Sequence, residues 1–349
     1  QEAEGKLFEI SQRNVKKDVT QINPVIKDAM EMLQKAALQK EGLSGLRTGF
    51  EGLDKMTSGW QNSDLIIIAA RPAMGKTAFV LSMAKNMAVN FNTPVALFSL
   101  EMSNVQLVNR LIVNVCEIPG EKIKSGRLES YEWEQLDFKI KELYDAPIFV
   151  DDTPSLSVFE LRTKARRLVR EHGIKCIIID YLQLMNASGM NFGSREQEVS
   201  TISRSLKGLA KELNIPIIAL SQLNRGVEAR QGAEGKRPQL ADLRESGAIE
   251  QDADMVCFIH RPEYYKITED ERGNSLIGLA EIIIAKHRNG AVGDVRLRFK
   301  SEFAKFMNVE EDIAVREFSS TMNGGDPMPP IPSPGADFLS QGSSNEVPF

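Results

Sequence analysis

The segment Ala70-Arg71-Pro72-Ala73-Met74-Gly75-Lys76-Thr77 follows directly on the apolar run Leu65 to Ala70 and precedes a stretch of helical periodicity. A buried strand that breaks into a glycine-containing loop and restarts as a helix leaves backbone N–H groups without intrahelical partners, and these point at whatever sits in the loop. Phosphate groups fit that cradle. Lys76 would neutralise the β and γ phosphates of ATP, and the Thr77 hydroxyl would ligate Mg²⁺. Arg71, Pro72, Ala73, Met74, Gly75, Lys76, Thr77 and Ala78 are therefore the candidate nucleotide-binding residues. Ala70 stands where such loops usually carry their first glycine.

The rest of the chain supports a fold that can hold such a loop. Apolar runs at Leu65 to Ala70, Val95 to Ser99, Ile148 to Asp151, Cys176 to Asp180, Ile217 to Ser221 and Met255 to His260 alternate with helix-period segments. This is the pattern of an α/β domain whose central, mostly parallel sheet is covered on both faces. Leu279 to Lys286 and Asp294 to Lys300 flank Asn289-Gly290 and predict a C-terminal β-hairpin. Ahead of the core, Asn23-Pro24 opens a helix whose stripe is Val25, Ile26, Ala29, Met30, Leu33, Ala36 and Ala37, ending near Gly42. That stripe can pack on its own domain or on a neighbour. Beyond about Phe318 the composition turns to Gly, Pro and Ser and predicts a disordered tail. The expected divisions are 1–45 (linker region with a helix), 46–310 (the ATPase unit) and 311–349 (the tail).

Composition removes several classes. Lys+Arg 43 against Asp+Glu 48 gives a net charge of -5, so any DNA contact must be local and not the work of a basic field. Arg166, Arg167 and Arg170 on one helical segment read as a solvated face. Cys116, Cys176 and Cys257 lie apart in apolar stretches, without metal-type spacing, and read as buried thiols of a reducing, cytoplasmic setting. No apolar run approaches a membrane span.

Three further polar residues end the apolar runs. Asp180 closes Cys176-Ile177-Ile178-Ile179 and is placed to organise Mg²⁺ with Thr77. Glu101 follows Val95 to Leu100, and Gln222 follows Ile217 to Ser221. In an open parallel sheet these ends share one crevice. There a carboxylate can activate water, and an amide can sense the γ-phosphate.

Taken with Leu97-Phe98-Ser99-Leu100-Glu101-Met102-Ser103, Ile179-Asp180-Tyr181-Leu182-Gln183 and Leu220-Ser221-Gln222-Leu223-Asn224-Arg225, the phosphate loop resembles that of the DnaB-type replicative DNA helicases. The likeness continues through Asp242-Leu243-Arg244-Glu245-Ser246-Gly247 to Asp254 and through Ala285-Lys286-His287-Arg288-Asn289-Gly290, which separate that family from other RecA-like ATPases. The resemblance implies a RecA-like P-loop NTPase fold with a preceding linker helix, ATP and Mg²⁺ as cofactors, and a homohexameric ring that moves 5′ to 3′ on single-stranded DNA at replication forks. It makes Glu101 the catalytic base, Arg110 a support of the nucleotide, Gln222 the γ-phosphate sensor, and Lys286 and Arg288 cations that reach a neighbour's ATP. His287, pointing the other way on an extended strand, is not catalytic. DNA contacts are implied in Asn186 to Arg195 and Asn224 to Gly247, with Arg244, Glu245 and Gly247 as the residues of choice, gripping phosphate and not base. A helicase loader is an implied partner. Primase would bind through an N-terminal domain absent from this sequence.

Two rivals remain at this stage. A RecA- or RadA-type recombinase shares fold and site, but the linker helix and Arg244 to Asp254 argue against it. A nucleotide-gated clamp or scaffold would have no use for Glu101.

Overall fold

The computed structural model describes residues 22–38, 43–187, 193–230 and 232–310. The expected tail, the start of the linker region, and Phe192 with its neighbours 188–191 lie outside them.

Strands β1 (Leu65–Ala70), β2 (Val95–Ser99), β3 (Ile148–Asp151), β4 (Cys176–Asp180), β5 (Ile217–Gln222), β6 (Met255–His260), β7 (Leu279–His287), β8 (Gly293–Lys300) and β9 (Lys305–Met307) form one sheet among the described residues. Their order is β3-β2-β4-β5-β1-β6-β7-β8-β9. Pairing is parallel from β3 through to β6 and antiparallel from β6 to β9. The α/β expectation holds, and each apolar run lies where the sequence puts it.

The near-continuous apolar character of β1 follows from burial on both faces. Ile66, Ile68 and Ala70 face one core with Phe79 and Met83 of the helix Lys76–Lys85 and Leu107 and Leu111 of the helix Asn104–Cys116. Leu65, Ile67 and Ala69 face the other, against Leu161 and Ala165 of Val158–His172 and Ile202 and Leu206 of Arg195–Leu213. Each fully buried Ile or Leu contributes roughly 1.5–3 kcal/mol. The central strands are thus the rigid frame, and function is carried on their ends.

Register decides which ends meet. Ser99 pairs with Asp180 and Ala70 with Gln222, so the phosphate loop, the segment carrying Glu101, Asp180 and Gln222 all leave the same edge.

Three local features differ from expectation. The linker helix covers Ile22–Leu38 among the described residues, so Asn23 lies within it and is not its cap. The hairpin is present, but its connection runs over 288–292 and Gly290 does not take a positive φ. The reason is that β7 outruns β8 to keep pairing with β6, His287 lying opposite Met255, so a two-residue turn cannot close it. A third strand, β9, follows and covers the phosphate-loop helix, where the Phe306 N–H donates to Ser82 Oγ at 3.1 Å.

Candidate nucleotide site

A cleft of about 560 Å³ opens at the carboxyl edge of the parallel strands, and its walls include Pro72, Ala73, Gly75, Lys76, Thr77, Ala78, Glu101, Arg110, Asp180 and Gln222. Residues from four strand ends and two helices therefore converge on one cavity.

The loop that begins it is shaped by backbone. Ala73 and Gly75 have φ of 63° and 96°. Gly75 is required twice over: its φ disfavours a side chain, and a Cβ there would stand 3.1 Å from the Phe306 ring. Lys76 Nζ donates to the Ala70 carbonyl at 3.3 Å, and Thr77 Oγ1 donates to Asp180 Oδ2 at 2.7 Å. Ser99 fixes the turn beyond β2, its hydroxyl donating to the Met102 carbonyl at 2.8 Å, which leaves Glu101 exposed at the mouth. Ser103 and Gln106 form a capping box that starts the helix Asn104–Cys116, and Arg110 rides on that helix toward the cleft.

The electrostatics are those of a pocket short of counter-charges. Burial lowers the Lys76 ammonium below its ordinary pKa, against the pull of Asp180 and Glu101. Burial also raises the Asp180 carboxyl, with the Thr77 hydrogen bond opposing and the nearby Glu101 charge adding to the rise. A polyanion beside Lys76 and a hard cation beside Asp180 would each restore the charged form. The available metal donors, one hydroxyl and one carboxylate, suit a magnesium ion that keeps several waters and takes further oxygens from a phosphate. No cluster of three or more His, Cys, Asp or Glu able to hold a metal by itself occurs among the described residues.

Two of the loop residues turn away. Met74 is buried in the core, and Arg71 is 5% exposed. Arg71 donates to Glu228 Oε1 from Nε at 2.9 Å and from Nη2 at 2.6 Å, and to the Leu223 carbonyl at 2.8 Å. Its side chain braces the segment after β5 and does not line the cleft.

Lys286 and Arg288 stand apart from this cleft. They share a side, as their spacing implies: Lys286 Nζ donates to the Glu250 carbonyl at 2.5 Å and Arg288 Nη2 to the Gln251 carbonyl at 2.5 Å. His287 instead contacts the Ala291 carbonyl. Within one chain the two cations therefore do not complete the site.

The segment Asn224 to Gly247 is not plain loop. It carries short helices at Gly226–Ala229 and Gly232–Gly235 and a 3₁₀ stretch at Leu240–Ser246, which leads into the helix Gly247–Asp252. The backbone of Arg244, Glu245 and Gly247 belongs to these last two elements, while their side chains lie outside the described atoms. A second cavity, of about 300 Å³, is lined by Gln183, Arg195, Asn224, Asp242 and again Gln222. Gln222 thus forms part of both walls.

Several cleft residues had no role assigned to them from the sequence. Met102, Val113, Gly120, Tyr181, Phe299, Glu302 and Ala304 also line it. Phe299 and Ala304 come from β8 and the turn before β9, and Arg261 lies over the Phe299 ring at 3.9 Å while donating to the Ala73 carbonyl at 3.4 Å. Their only sequence mark is an aromatic pair, Phe299 and Phe306, in a region otherwise read as hairpin.

Cys116, Cys176 and Cys257 are buried thiols as expected, burial pushing the Cys257 thiol up to about 12. No helix among the described residues is long and apolar enough to cross a membrane.

Comparison with known proteins agrees with this geometry. The family model described as the DnaB-like helicase C terminal domain matches residues 45–308. The replicative DNA helicase DnaB of Geobacillus stearothermophilus is 48% identical over 309 residues, covering 88% of this chain and 66% of that protein. The replicative DNA helicase DnaC of Bacillus subtilis is 46% identical, covering 88% and 66%. The chain thus spans just under two thirds of the length of these two relatives. A solved ATPase domain superposes with a TM-score of 0.76 at 40% identity, covering 84% of this chain and all of that one. A DnaB-like replicative helicase, solved in a study of its interactions with primase, superposes with a TM-score of 0.73 at 41% identity, covering 88% and 72%. The chain belongs to the DnaB-like helicase C-terminal domain family.

Proposed function

We propose that this chain is the ATP-hydrolysing motor of a replicative DNA helicase. The observation that carries the reading is the convergence of Lys76, Thr77, Asp180, Glu101 and Gln222 on one cleft, with Gln222 shared between that cleft and the cavity beside Asn224 to Asp242. Lys76 and the loop amides hold the phosphates of ATP, with Arg110 supporting the nucleotide. Thr77 and Asp180 hold Mg²⁺, which offsets charge on the transferred phosphoryl group. Glu101, exposed at the mouth, orients and deprotonates the attacking water. Gln222 hydrogen-bonds the γ-phosphate and passes its loss to the segment that follows β5.

The reading assigns 46–310 to the motor, 1–45 to a linker and 311–349 to a tail. The motor works in a homohexameric ring, where Lys286 and Arg288 of one subunit complete the ATP site of the next. Support comes from uncovered apolar surface. Ile22, Ile26 and Met30 of the linker helix are 67%, 50% and 52% exposed. Tyr131, Trp133, Phe138 and Tyr144 are exposed on the helices after Gly120. Contacts between subunits would cover such faces. Arg244, Glu245 and Gly247 grip the phosphates of single-stranded DNA without reading bases, travel is 5′ to 3′, and the work is done in the cytoplasm with a loader and a primase as partners. The test is unwinding of a forked duplex by the full-length protein with ATP. Unwinding that needs a 5′ tail and ATP supports the reading. ATP turnover without strand separation overturns it.

A further inference from the structure

Lys286 and Arg288 are held by their own chain at the far end of the element that starts with the candidate DNA contacts. The 3₁₀ stretch Leu240–Ser246 passes directly into the helix Gly247–Asp252, so residues 244–247 form its entrance and Glu250 and Gln251 its exit. At the exit, Lys286 Nζ donates to the Glu250 carbonyl at 2.5 Å and lies 3.4 Å from the Gln251 carbonyl. Arg288 Nη2 donates to the Gln251 carbonyl at 2.5 Å, and Nη1 stands 3.5 Å from Asp254 Oδ1. The last carbonyls of a helix have no partners of their own and carry its negative end, which is why two cations settle there.

The anchor beyond the helix is firm. Asp254 is paired with Lys207, accepts from the Leu65 N–H at 2.8 Å, and through its carbonyl accepts the Arg288 N–H at 2.9 Å. The cation heads are thus set against a fixed carboxylate on one side and a short helix on the other. Only the helix has an end at the DNA candidates. A displacement at 244–247 would move the carbonyls that orient both side chains, while Asp254 and β7 are tied to the sheet.

We infer that the helix Gly247–Asp252 is the positioning element of the trans-acting cations: DNA engaged by one subunit sets Lys286 and Arg288 of that same subunit, and so accelerates hydrolysis at its neighbour's nucleotide. The inference rests on the proposed roles of Arg244 toward DNA and of the two cations in trans. It differs from the route through Gln222, which would carry the DNA signal to the subunit's own ATP.

Rings mixed from two chain types separate the two routes. One type carries Lys76→Ala and serves as cation donor; the other carries Lys286→Ala with Arg288→Ala and serves as ATP acceptor. In rings verified as mixed by native mass, turnover comes only from interfaces that join an acceptor's nucleotide to a donor's cations. Arg244→Ala is then added to the donor or to the acceptor. The expected result is loss of DNA-stimulated turnover when it is on the donor and retention when it is on the acceptor, the loss falling in kcat with the KM for ATP unmoved, because the cations act on the transferring phosphoryl. Loss confined to the acceptor, or equal loss from either position, overturns the inference. The underlying readings fail differently: without Arg244→Ala, mixed rings that show no turnover remove the trans role, and uniform Arg244→Ala rings that still respond to DNA remove the DNA role.

Discussion

In the proposed mechanism Lys76 and Glu101 divide the work of binding and bond-breaking, and two substitutions separate them. Lys76→Ala removes a phosphate counter-charge that takes no part in either core, so ATP turnover is expected to vanish while the thermal unfolding midpoint stays within a degree or two of the parent. Glu101→Gln keeps the shape and removes the base. Fluorescent-nucleotide titration should show retained binding, with hydrolysis reduced by the 10²- to 10⁴-fold or so typical of a lost general base. Loss of binding instead would make Glu101 structural. The position of both at the cleft was legible in the sequence because a strand end and its flanking loop are local facts. Arg71 and Met74 were not, since only the packed structure shows that one braces Glu228 and the other fills the core.

His260 gives a residue-level dependence on pH. It is 3% exposed at the end of β6, next to Tyr265, and burial together with the nearby Arg237 charge lowers its pKa from 6.5 to about 4, with Asp294 opposing. The folded chain therefore holds the neutral ring while the unfolded chain takes up a proton. The stability this implies is complete above pH 6.5 and is lost as pH falls toward 4, up to an amount on the order of 3 kcal/mol. Denaturant midpoints between pH 7 and 4 should fall less steeply for His260→Gln than for the parent. Parallel curves would show that His260 does not carry the effect.

At the scale of elements, continuous apolar runs located every strand of the parallel sheet, because its inner strands are buried on both faces and its edge strand β3 is partly buried. They failed where the deciding interaction is distant. The connection 288–292 is set by β7 pairing with β6 beyond the end of β8, which no local dipeptide encodes. β9 is three residues long, too short for a period to show. The linker helix was legible as a helix, but its partner was left open, and Ile26 and Met30 of its stripe stand exposed in the single chain. Ile26→Asp should leave the unfolding midpoint unchanged and weaken assembly. Burying one isoleucine is worth on the order of 2 kcal/mol, or about thirtyfold in association at each interface. Sedimentation velocity across a dilution series measures it, and a lowered unfolding midpoint with unchanged assembly would place the stripe within its own domain.

At the scale of the whole molecule, the proposed ATP site is one that a single chain leaves incomplete. Lys76, Thr77, Asp180, Glu101 and Gln222 line one cleft, whereas Lys286 and Arg288 are occupied on the carbonyls of Glu250 and Gln251. A trans-acting arginine can be worth about 10³ to 10⁵ in rate, so the difference between one chain and an assembly is large. The expectation of a shared site comes only from family resemblance, since nothing in spacing or periodicity says which chain's phosphate a cation will meet. The most direct test is a structure of the assembled protein with Mg²⁺ and a hydrolysis-resistant ATP analogue. The expected result is the β and γ phosphates on Lys76 and the loop amides, the metal between Thr77 and Asp180, and Arg288 of the adjacent subunit within hydrogen-bonding distance of the γ-phosphate. A nucleotide seated in this cleft with no neighbouring Arg288 or Lys286 near its γ-phosphate would contradict it.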